Sequence, residues 1–425
     1  MIDPKSLLTG MFDAAIAAAD PEKCIANHLP PKPKGRTVVV GAGKGAAQMA
    51  AAFERLWDDE LEGVVVTRYG FGEYCKQIKV LEASHPVPDK SGLDASDKLL
   101  AAVSDLTADD LVVALVCGGG SALLPAPAEG LSFEDEVAVN EALLASGAPI
   151  QAMNAIRKHI STIKGGRLAA AAYPAKVVSL IVSDIPGDDP AQVASGPTVA
   201  DWSTREQALS LVSQFKLDLP ESVIQHLESP EAECPKPDDP KLIGNETIVI
   251  ASSAVSLEAA AEHAKSQGMD AVILSDAVEG EAREVGKVHS AIAREVALRN
   301  RPFERPVVIL SGGETTVTLA GDGKGGRNTE FLLSFACGIE ELADNTNAGT
   351  IHALAADTDG IDGSEDNAGA FADIATTKRM REAGLDPASM LSNNDAWTAF
   401  SKIDDLFVPG PTGTNVNDFR AILIR

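Results

Sequence analysis

The chain has 425 residues, enough for two domains with separate cores, and 45% of them are hydrophobic. Its 62 acidic and 36 basic residues leave a net charge of −26, which repels nucleic acid and anionic membranes and excludes both as expected partners. An anionic substrate is repelled as well, so a phosphate or carboxylate site needs basic residues of its own.

The sequence pattern predicts neither a membrane-spanning helix nor a set of disulfide bonds. The five cysteines include no CxxC pair, and no apolar run reaches the length of a transmembrane helix. Residues 1–21 predict an amphipathic helix rather than a signal peptide. We therefore expect a cytoplasmic protein with reduced thiols, either a monomer or a homodimer.

Short runs of Val, Ile and Leu alternate with helical segments along the chain. Unbroken apolar runs are typical of strands buried on both faces of a parallel sheet, and their alternation with helices predicts doubly wound α/β layers. The runs cover residues 36–41, 61–70, 111–120, 175–185, 246–253, 269–276, 305–313 and 350–360.

Two features predict how these elements divide into domains. The stretch 228–246 is rich in proline and charge, so we place a boundary after residue 235. The alternating segment ETTVTLA (314–320) predicts a mixed sheet beyond it. The fold expected is α/β: an N-terminal Rossmann-like domain (1–235) with helices on both faces of a parallel sheet, and a C-terminal α/β domain (236–425) with a mixed sheet.

The first candidate site is the glycine turn VVVGAGKGA (38–46). Gly41 and Gly43 fit the dinucleotide pattern G-x-G-x-x-A, in which helix amides attract phosphate. The second strand ends without an acidic residue, so NAD is disfavoured, although Arg68 there could accommodate a 2′-phosphate. Lys44 is followed by glycine rather than Ser or Thr, so the turn is no Walker A motif.

A second glycine loop, CGGGS (117–121), lies at the end of the apolar run that begins at residue 111. Gly118, Gly119 and Gly120 can curl their amides around phosphate oxygens, and Ser121 can add a donor. The segment lacks the G-x-S-x-G pattern of a serine nucleophile, so we favour a phosphate cradle.

The segment 153–167 concentrates positive charge in an acidic protein. It contains Arg157, Lys158, Lys164 and Arg167. Because such residues ordinarily lie on a solvated helix face, we expect them there.

Carboxylates follow two other strands. Asp184 lies at the end of the run 175–185, and Asp188 and Asp189 follow it. All three suit Mg²⁺ ligation, or a base that accepts a hydroxyl proton. Near the end of the run 350–360, Asp357 and Asp359, together with Asp362, are candidates for contact with Mg²⁺ or a polyol. This loop fails the EF-hand pattern, because isoleucine stands at its third ligand position.

Another group of glycines precedes Arg327. This arginine begins a predicted helix directly after Gly325 and Gly326. A guanidinium at that place can clamp a carboxylate or phosphate through two hydrogen bonds.

Taken together, these stretches resemble the class II glycerate kinases, the glycerate 2-kinase family whose C-terminal half is the MOFRL domain. The resemblance extends from residue 38 to 418 and rests on nine motifs in order: VVVGAGKGA, ASHPVPDKSG, CGGGSALL, NAIRKHISTIKGGRLA, SDIPGDDPAQVASGPT, SGGETTV, GKGGRNTE, ADTDGIDG and GPTGTNVND.

The resemblance implies ATP-dependent phosphorylation of D-glycerate to 2-phosphoglycerate, with ATP and Mg²⁺ required and the active site in a cleft between two α/β domains. It implies catalytic roles for Lys44, Asp184 and Arg327. We expect Asp184 to accept the substrate proton or hold Mg²⁺ with Asp188 and Asp189. Lys44 and Arg327, with Asp357 and Asp359, are expected to contact substrate, and the glycines and Ser121 of the two loops to bind nucleotide.

Two other functions stay open. An NAD(P)H-dependent hydroxypyruvate reductase would seat NADPH on the first turn, with Arg68 near its 2′-phosphate and His85 or His159 as proton donor. It leaves the CGGGS loop and the aspartates unexplained. A non-catalytic sugar-phosphate sensor would need no aspartate beside Lys44.

Overall fold

The computed structural model describes residues 2–185, 187–343, 345 and 349–425. Contacts divide the chain into two compact units: residues 21–250 form the N-terminal unit, and residues 2–20 join residues 251–425 in the C-terminal unit. This division differs from the expected boundary after residue 235, because it falls after residue 250 and assigns the first helix to the C-terminal unit.

The helices and strands follow the alternation that the apolar runs predict. The α-helices of the described residues are α1 (Pro4–Ala18), α2 (Pro21–Ala26), α3 (Ala46–Leu56), α4 (Lys90–Ala102), α5 (Gly120–Leu123), α6 (Phe133–Ala145), α7 (Ile150–His159), α8 (Arg167–Ala171), α9 (Arg205–Gln214), α10 (Glu221–Glu228), α11 (Ser253–Ser266), α12 (Ala282–Arg299), α13 (Arg327–Ile339), α14 (Thr376–Glu382), α15 (Pro387–Ser392) and α16 (Ala396–Ser401). The strands are β1 (Thr37–Ala42), β2 (Glu62–Arg68), β3 (Ile78–Ala83), β4 (Leu111–Cys117), β5 (Lys176–Val182), β6 (Glu246–Ala251), β7 (Asp270–Ser275), β8 (Gly280–Glu281), β9 (Val307–Gly313), β10 (Thr315–Thr316), β11 (Ile351–Asp357), β12 (Gly369–Asp373), β13 (Leu406–Phe407) and β14 (Asp418–Ile424).

The N-terminal unit is built on a six-stranded sheet in the order β3-β2-β1-β4-β5-β6. The pairings from β3 through to β5 are parallel, and β1 and β4 are buried along their whole length. The Rossmann-like parallel sheet predicted for this part of the chain is confirmed. Strand order reverses between β1 and β4, and ligands of such sheets bind beyond the carboxyl ends of the strands at that point.

The C-terminal unit contains a mixed six-stranded sheet in the order β13-β12-β11-β14-β9-β7, which confirms the predicted mixed sheet. β7 and β9 are parallel, and the remaining neighbours are antiparallel. Val307 and Ile309 of β9 pack in a core with α12 and α13, whereas Val308 and Leu310 pack in a second core with α1 and α11. Helices therefore cover both faces of this sheet.

Two further sequence expectations concern thiols and membranes. All five cysteines are free thiols, as expected. No helix of the described residues combines the length and the apolar character needed to cross a bilayer.

Candidate active site

The glycine turn after β1 is held against the end of β4. The Gly43 amide donates to the Val66 carbonyl oxygen at 3.2 Å, and the Lys44 amide donates to the Gly118 carbonyl oxygen at 2.9 Å. Gly43 has a φ of 137°, and a Cβ at this position would overlap Cys117. Glycine alone satisfies both the backbone angle and the space, and the turn thereby places Lys44 beside the CGGGS loop.

Gly118 and Gly119 lie against the side chains of Lys44, His85 and Asp184. A Cβ on Gly118 would overlap the Asp184 carboxylate. A Cβ on Gly119 would lie 3.0 Å from Lys44 Cε and 3.1 Å from His85 Nε2. The structure thus brings Lys44 and Asp184, two residues predicted from separate motifs, to the same bare stretch of backbone.

His85 adds a neutral imidazole to this edge of the sheet. Burial, together with the nearby charges of Lys44 and Arg68, lowers the pKa of His85 to about 4. The Arg68 guanidinium lies 3.5 Å from the centre of the Phe71 ring. At neutral pH, His85 therefore has no imidazolium proton to transfer.

The other predicted glycines have packing roles. A Cβ on Gly41 would overlap the Leu115 carbonyl oxygen of β4, and one on Gly120 would lie 2.5 Å from the Ala194 methyl group. Ser121 Oγ lies 2.8 Å from Ser195 Oγ. Nucleotide binding by these loop residues stays a prediction.

The aspartates that follow Asp184 shape a turn. The Asp189 carboxylate accepts a hydrogen bond from the Ala191 amide at 3.0 Å, and Asp188 has a left-handed φ of 53°. Within the described residues, which omit Pro186 of this loop, no group of three or more His, Cys, Asp or Glu side chains is arranged to hold a metal ion. Joint Mg²⁺ ligation by the three aspartates stays a prediction.

The basic segment 153–167 is mostly buried, and the expectation of a solvated helix face is wrong. Arg157, Lys158 and Lys164 are buried, and each has polar partners within the N-terminal unit. These partners are Asn140 and Asn154 for Arg157, Asp201 for Lys158, and Glu136 for Lys164.

Arg327, the first residue of α13, is held by two carboxylates of the C-terminal sheet. Its Nε donates to Asp418 Oδ1 and its Nη2 donates to Asp357 Oδ2, both at 2.6 Å. Its Nη1 donates to Glu314 Oε1 at 3.4 Å. Burial opposes the charge of Arg327, but the nearby carboxylates, chiefly Asp418 and Asp357, outweigh this effect and raise its pKa.

A second arginine, Arg420, shares the Asp418 carboxylate with Arg327. Arg420 is fully buried and pairs with Asp418. Burial works to raise the pKa of Asp418, yet the charges of Arg420 and Arg327 outweigh it and lower that pKa. Burial raises the pKa of Asp357, against the charge of Arg327. Asp418 is therefore the fixed anion that orients Arg327.

The other acidic residues of this region stabilise loops. Asp362 accepts hydrogen bonds from the amides of Asn328 at 2.9 Å and Thr329 at 2.8 Å, which caps the first turn of α13. Asp359 accepts from the Ile361 amide at 2.8 Å, and its own amide donates to Asp357.

Arg327 also lines a cavity of about 810 Å³ in the C-terminal unit. Glu279, Glu314 and Glu330 make its wall acidic, and Gly323, Gly325 and Gly326 contribute bare backbone. Arg327 is the basic residue of this lining.

Sequence reasoning missed Asp418 and Arg420, the partners that orient Arg327. A signal was present, because an acidic and a basic residue stand in the otherwise apolar C-terminal strand DFRAILI. Charged residues inside a buried strand are uncommon unless they are paired.

Comparisons with known proteins cover both units. Residues 7–228 match a domain of unknown function, DUF4147, and residues 307–418 match the MOFRL family. The glycerate 2-kinase of Pyrococcus horikoshii is 40% identical, over 98% of this chain and 96% of its own length. The D-glycerate 2-kinase of Thermotoga maritima is 38% identical, over 98% of each. An Agrobacterium vitis protein, provisionally named hydroxypyruvate reductase, is 51% identical over 100% of this chain and 95% of its own.

Two solved structures are similar over nearly the full length. The crystal structure of glycerate kinase from Thermotoga maritima has a TM-score of 0.89 at 37% identity and covers 99% of this chain and 100% of that one. A Pyrococcus horikoshii protein has a TM-score of 0.86 at 38% identity, covering 100% of this chain and 99% of that one.

Proposed function

The chain belongs to the glycerate 2-kinase family that carries the MOFRL domain, and we propose that it transfers a phosphoryl group from ATP to the 2-hydroxyl of D-glycerate, giving 2-phosphoglycerate. The observation that carries this proposal is that the side chains of Lys44 and Asp184 both lie against the glycine loop that follows β4, at the point where strand order reverses. Phosphoryl transfer is catalysed mainly by positioning and charge neutralisation, and these residues supply both.

Lys44 and Asp184 have complementary roles in this proposal. Lys44 neutralises charge on the phosphoryl group in transfer, and its main chain is fixed by the Gly118 carbonyl oxygen. Asp184 has one of two roles in this proposal: it accepts the proton of the glycerate hydroxyl as the new bond to phosphorus forms and the bond to the ADP oxygen breaks, or it holds Mg²⁺. The bare backbone of Gly118 and Gly119 lets phosphate oxygens approach closely.

The residues present fit Mg²⁺ through Asp184 rather than through a protein cage. Mg²⁺ in kinases is commonly held by one or two carboxylates together with substrate phosphates, so a closed group of three ligands is not required. When bound, it would neutralise charge on the phosphates. Asp189, whose carboxylate accepts the Ala191 amide, stays a second candidate.

Arg327 is proposed to stabilise an anionic group of the substrates. Two of its nitrogens are held by Asp418 and Asp357, which leaves Nη1 the most weakly bound edge, beside Glu314. In this proposal Asp357 contributes to substrate binding through Arg327, and Asp359 through the loop that it supports. A site that Lys44 and Arg327 share stays a prediction.

The reductase alternative rests on the first turn and on the provisional names of relatives such as the Agrobacterium vitis protein. Its proton donors argue against it. The pKa of His85 is lowered to about 4, mainly by burial, so this residue is neutral at physiological pH. His159 is fully buried, and its Nδ1 lies 2.6 Å from the Ala155 carbonyl oxygen.

The direct test is product identification. The protein is incubated with D-glycerate and MgATP, and in parallel with hydroxypyruvate and NADPH. Phosphorus NMR that detects 2-phosphoglycerate supports the kinase, whereas oxidation of NADPH without phosphorylation overturns it.

Lys44→Met is expected to lower kcat/KM for D-glycerate roughly 100-fold or more, because charge on the transferred group is no longer neutralised. Lys98→Met, on the exposed face of α4, is the matched control and should leave turnover unchanged. Combining Lys44→Met with Arg327→Ala tests the shared site: losses that simply multiply would indicate that the two residues act separately.

A further inference from the structure

We propose that Ser121 faces the bound substrates as a hydrogen-bond acceptor, and that a buried chain of Ser195, Asn154 and Arg157 sets this polarity. The inference rests on the proposed kinase function and reverses the sequence expectation that Ser121 donates to a phosphate oxygen. Its ligand is an electron-poor group: the proton of the glycerate 3-hydroxyl, or the divalent cation that accompanies ATP.

The chain of contacts runs from the protein interior to the CGGGS loop. Arg157 Nη1 donates to Asn154 Oδ1 at 3.3 Å, and Ser195 Oγ donates to the same oxygen at 3.0 Å. Ser195 Oγ lies 2.8 Å from Ser121 Oγ. Ser195 and Asn154 are buried, and Arg157 is only 8% exposed, whereas Ser121 is partly accessible to solvent. Ser121 is thus the accessible end of the chain.

The orientation of the Asn154 amide follows from its neighbours. Arg157 carries only donors, so the atom of Asn154 that faces it is the carbonyl oxygen. The other atom, Nδ2, donates to the Gln192 carbonyl oxygen at 3.0 Å, which only accepts. Arg157 is itself held by Nε, which donates to Asn140 Oδ1 at 2.9 Å. Both ends of the Asn154 amide are therefore assigned.

The direction of the two hydroxyl bonds then follows. Asn154 Oδ1 can only accept, so Ser195 uses its single proton on that bond. The contact between the two serines must therefore be donated by Ser121. With its own proton directed inward, Ser121 presents lone pairs to a ligand. A phosphate oxygen, itself an acceptor, would be repelled at that place.

Three binding measurements on Ser121→Ala and on the exposed control Ser213→Ala test this polarity. ATP affinity is measured by calorimetry in EDTA, Mn²⁺ affinity by electron paramagnetic resonance in the presence of ADP, and the affinities for D-glycerate and D-lactate by calorimetry. We expect ATP affinity in EDTA to change by less than about twofold, and either Mn²⁺ affinity or the preference for D-glycerate over D-lactate to fall about tenfold.

The Mn²⁺ and D-lactate measurements distinguish the two possible ligands of Ser121. A loss of Mn²⁺ affinity assigns Ser121 to the cation, and a loss of preference over D-lactate assigns it to the 3-hydroxyl, which D-lactate lacks. Weaker ATP binding in EDTA, with the other two affinities unchanged, would make Ser121 a phosphate donor and overturn the proposal. A Ser121→Ala variant with unchanged values in all three binding measurements would overturn it as well.

Ser195→Ala tests the positioning chain. It removes the oxygen that accepts the Ser121 proton. We therefore expect Ser195→Ala to lose affinity in the same measurement as Ser121→Ala and by a similar factor. The double variant Ser121→Ala/Ser195→Ala should show no further loss. Losses that add up in the double variant would overturn the proposed chain of hydrogen bonds. The melting temperature of each variant shows whether a loss of affinity comes from unfolding instead. A wild-type protein that phosphorylates no glycerate refutes the proposed function, whereas an active wild type with unaltered variants refutes this inference alone.

Discussion

Lys164 is charged and fully buried, and it is paired with an equally buried carboxylate. Its Nζ donates to Glu136 Oε1 at 2.8 Å and to the Leu124 carbonyl oxygen at 2.6 Å, while Glu136 Oε2 accepts the Ala126 amide at 2.8 Å. Glu136→Ala should therefore destabilise the fold by about 3–5 kcal/mol, because it leaves an unpaired ammonium group in the interior. Urea denaturation measures this change in the free energy of unfolding.

An exposed ion pair in the same unit is the matched control. Lys176 and Glu246 lie 2.6 Å apart, with 41% and 54% of their side chains exposed. Glu246→Gln should change the free energy of unfolding by less than about 1 kcal/mol, because solvent screens this pair. Equal effects of the two substitutions would contradict the importance assigned to burial.

His85 provides a prediction about pH. Because its pKa is lowered to about 4, it stays neutral where an ordinary histidine, with a pKa near 6.5, would take up a proton. His85→Asn should therefore leave the shape of the pH profile of kcat/KM unchanged between about pH 5.5 and 8. Loss of a limb of that profile would show that His85 titrates in this range and would revive its role as a proton donor.

At the scale of elements, the turn between β1 and α3 depends on one glycine. Gly43→Ala should destabilise the protein by more than about 2 kcal/mol, because alanine at a φ of 137° is strained and its methyl group would overlap Cys117. Thermal unfolding followed by circular dichroism measures the loss.

Gly45, two residues later, is the control for that turn. Its φ is −102°, and a Cβ there would lie 3.6 Å from Cys117 Sγ, an ordinary contact. Gly45→Ala should therefore stay within about 1 kcal/mol of the parent protein. If both variants lost stability equally, the space beside Cys117 would not be the reason for glycine at position 43.

The buried strands were predictable, whereas the edge strand β3 was not. The runs 36–41 and 111–120 contain the unbroken apolar stretches VVV and LVVALV and correspond to β1 and β4, which are buried on both faces. β3, with the sequence IKVLEA, lies at the sheet edge and mixes polar and apolar residues, so its pattern lacks the apolar run. An unbroken apolar run, which also marks the partly exposed edge strand β7, is what allows a strand to be recognised in the sequence.

The same reasoning explains how much of the candidate site could be predicted. Lys44 and Asp184 follow strands, and parallel strands bring their carboxyl ends to one edge of a sheet, so their proximity followed from the motifs. Asn154 and Ser195 come from a helix and an irregular turn, and no periodicity predicts that Asn154 contacts Ser195 or that Ser195 contacts Ser121. The burial of Lys164 depended likewise on a partner 28 residues away in the chain.

At the scale of the whole molecule, the first helix completes the C-terminal unit. Five residues of α1 are buried: Leu7, Leu8, Met11, Phe12 and Ala15. The Phe12 ring packs edge-to-face with Phe407 at 5.0 Å and with Phe419 at 5.7 Å between ring centres. The chain therefore begins in this unit, passes through the N-terminal unit and returns, so the C-terminal unit needs both ends of the chain to complete its core.

Phe12→Ala should destabilise the C-terminal unit by about 3–5 kcal/mol, because it removes a buried ring and leaves a cavity between α1 and the sheet. Trp397 reports on that unit, while Trp57 and Trp202 lie in the N-terminal unit. Denaturation of Phe12→Ala in a Trp57→Phe/Trp202→Phe background should therefore shift the Trp397 fluorescence transition to lower urea. Asp13→Ala, on the exposed side of α1, should leave the transition within about 0.5 kcal/mol. A Phe12→Ala variant that moved only the Trp57 and Trp202 transition, measured in a Trp397→Phe background, would instead assign α1 to the N-terminal unit.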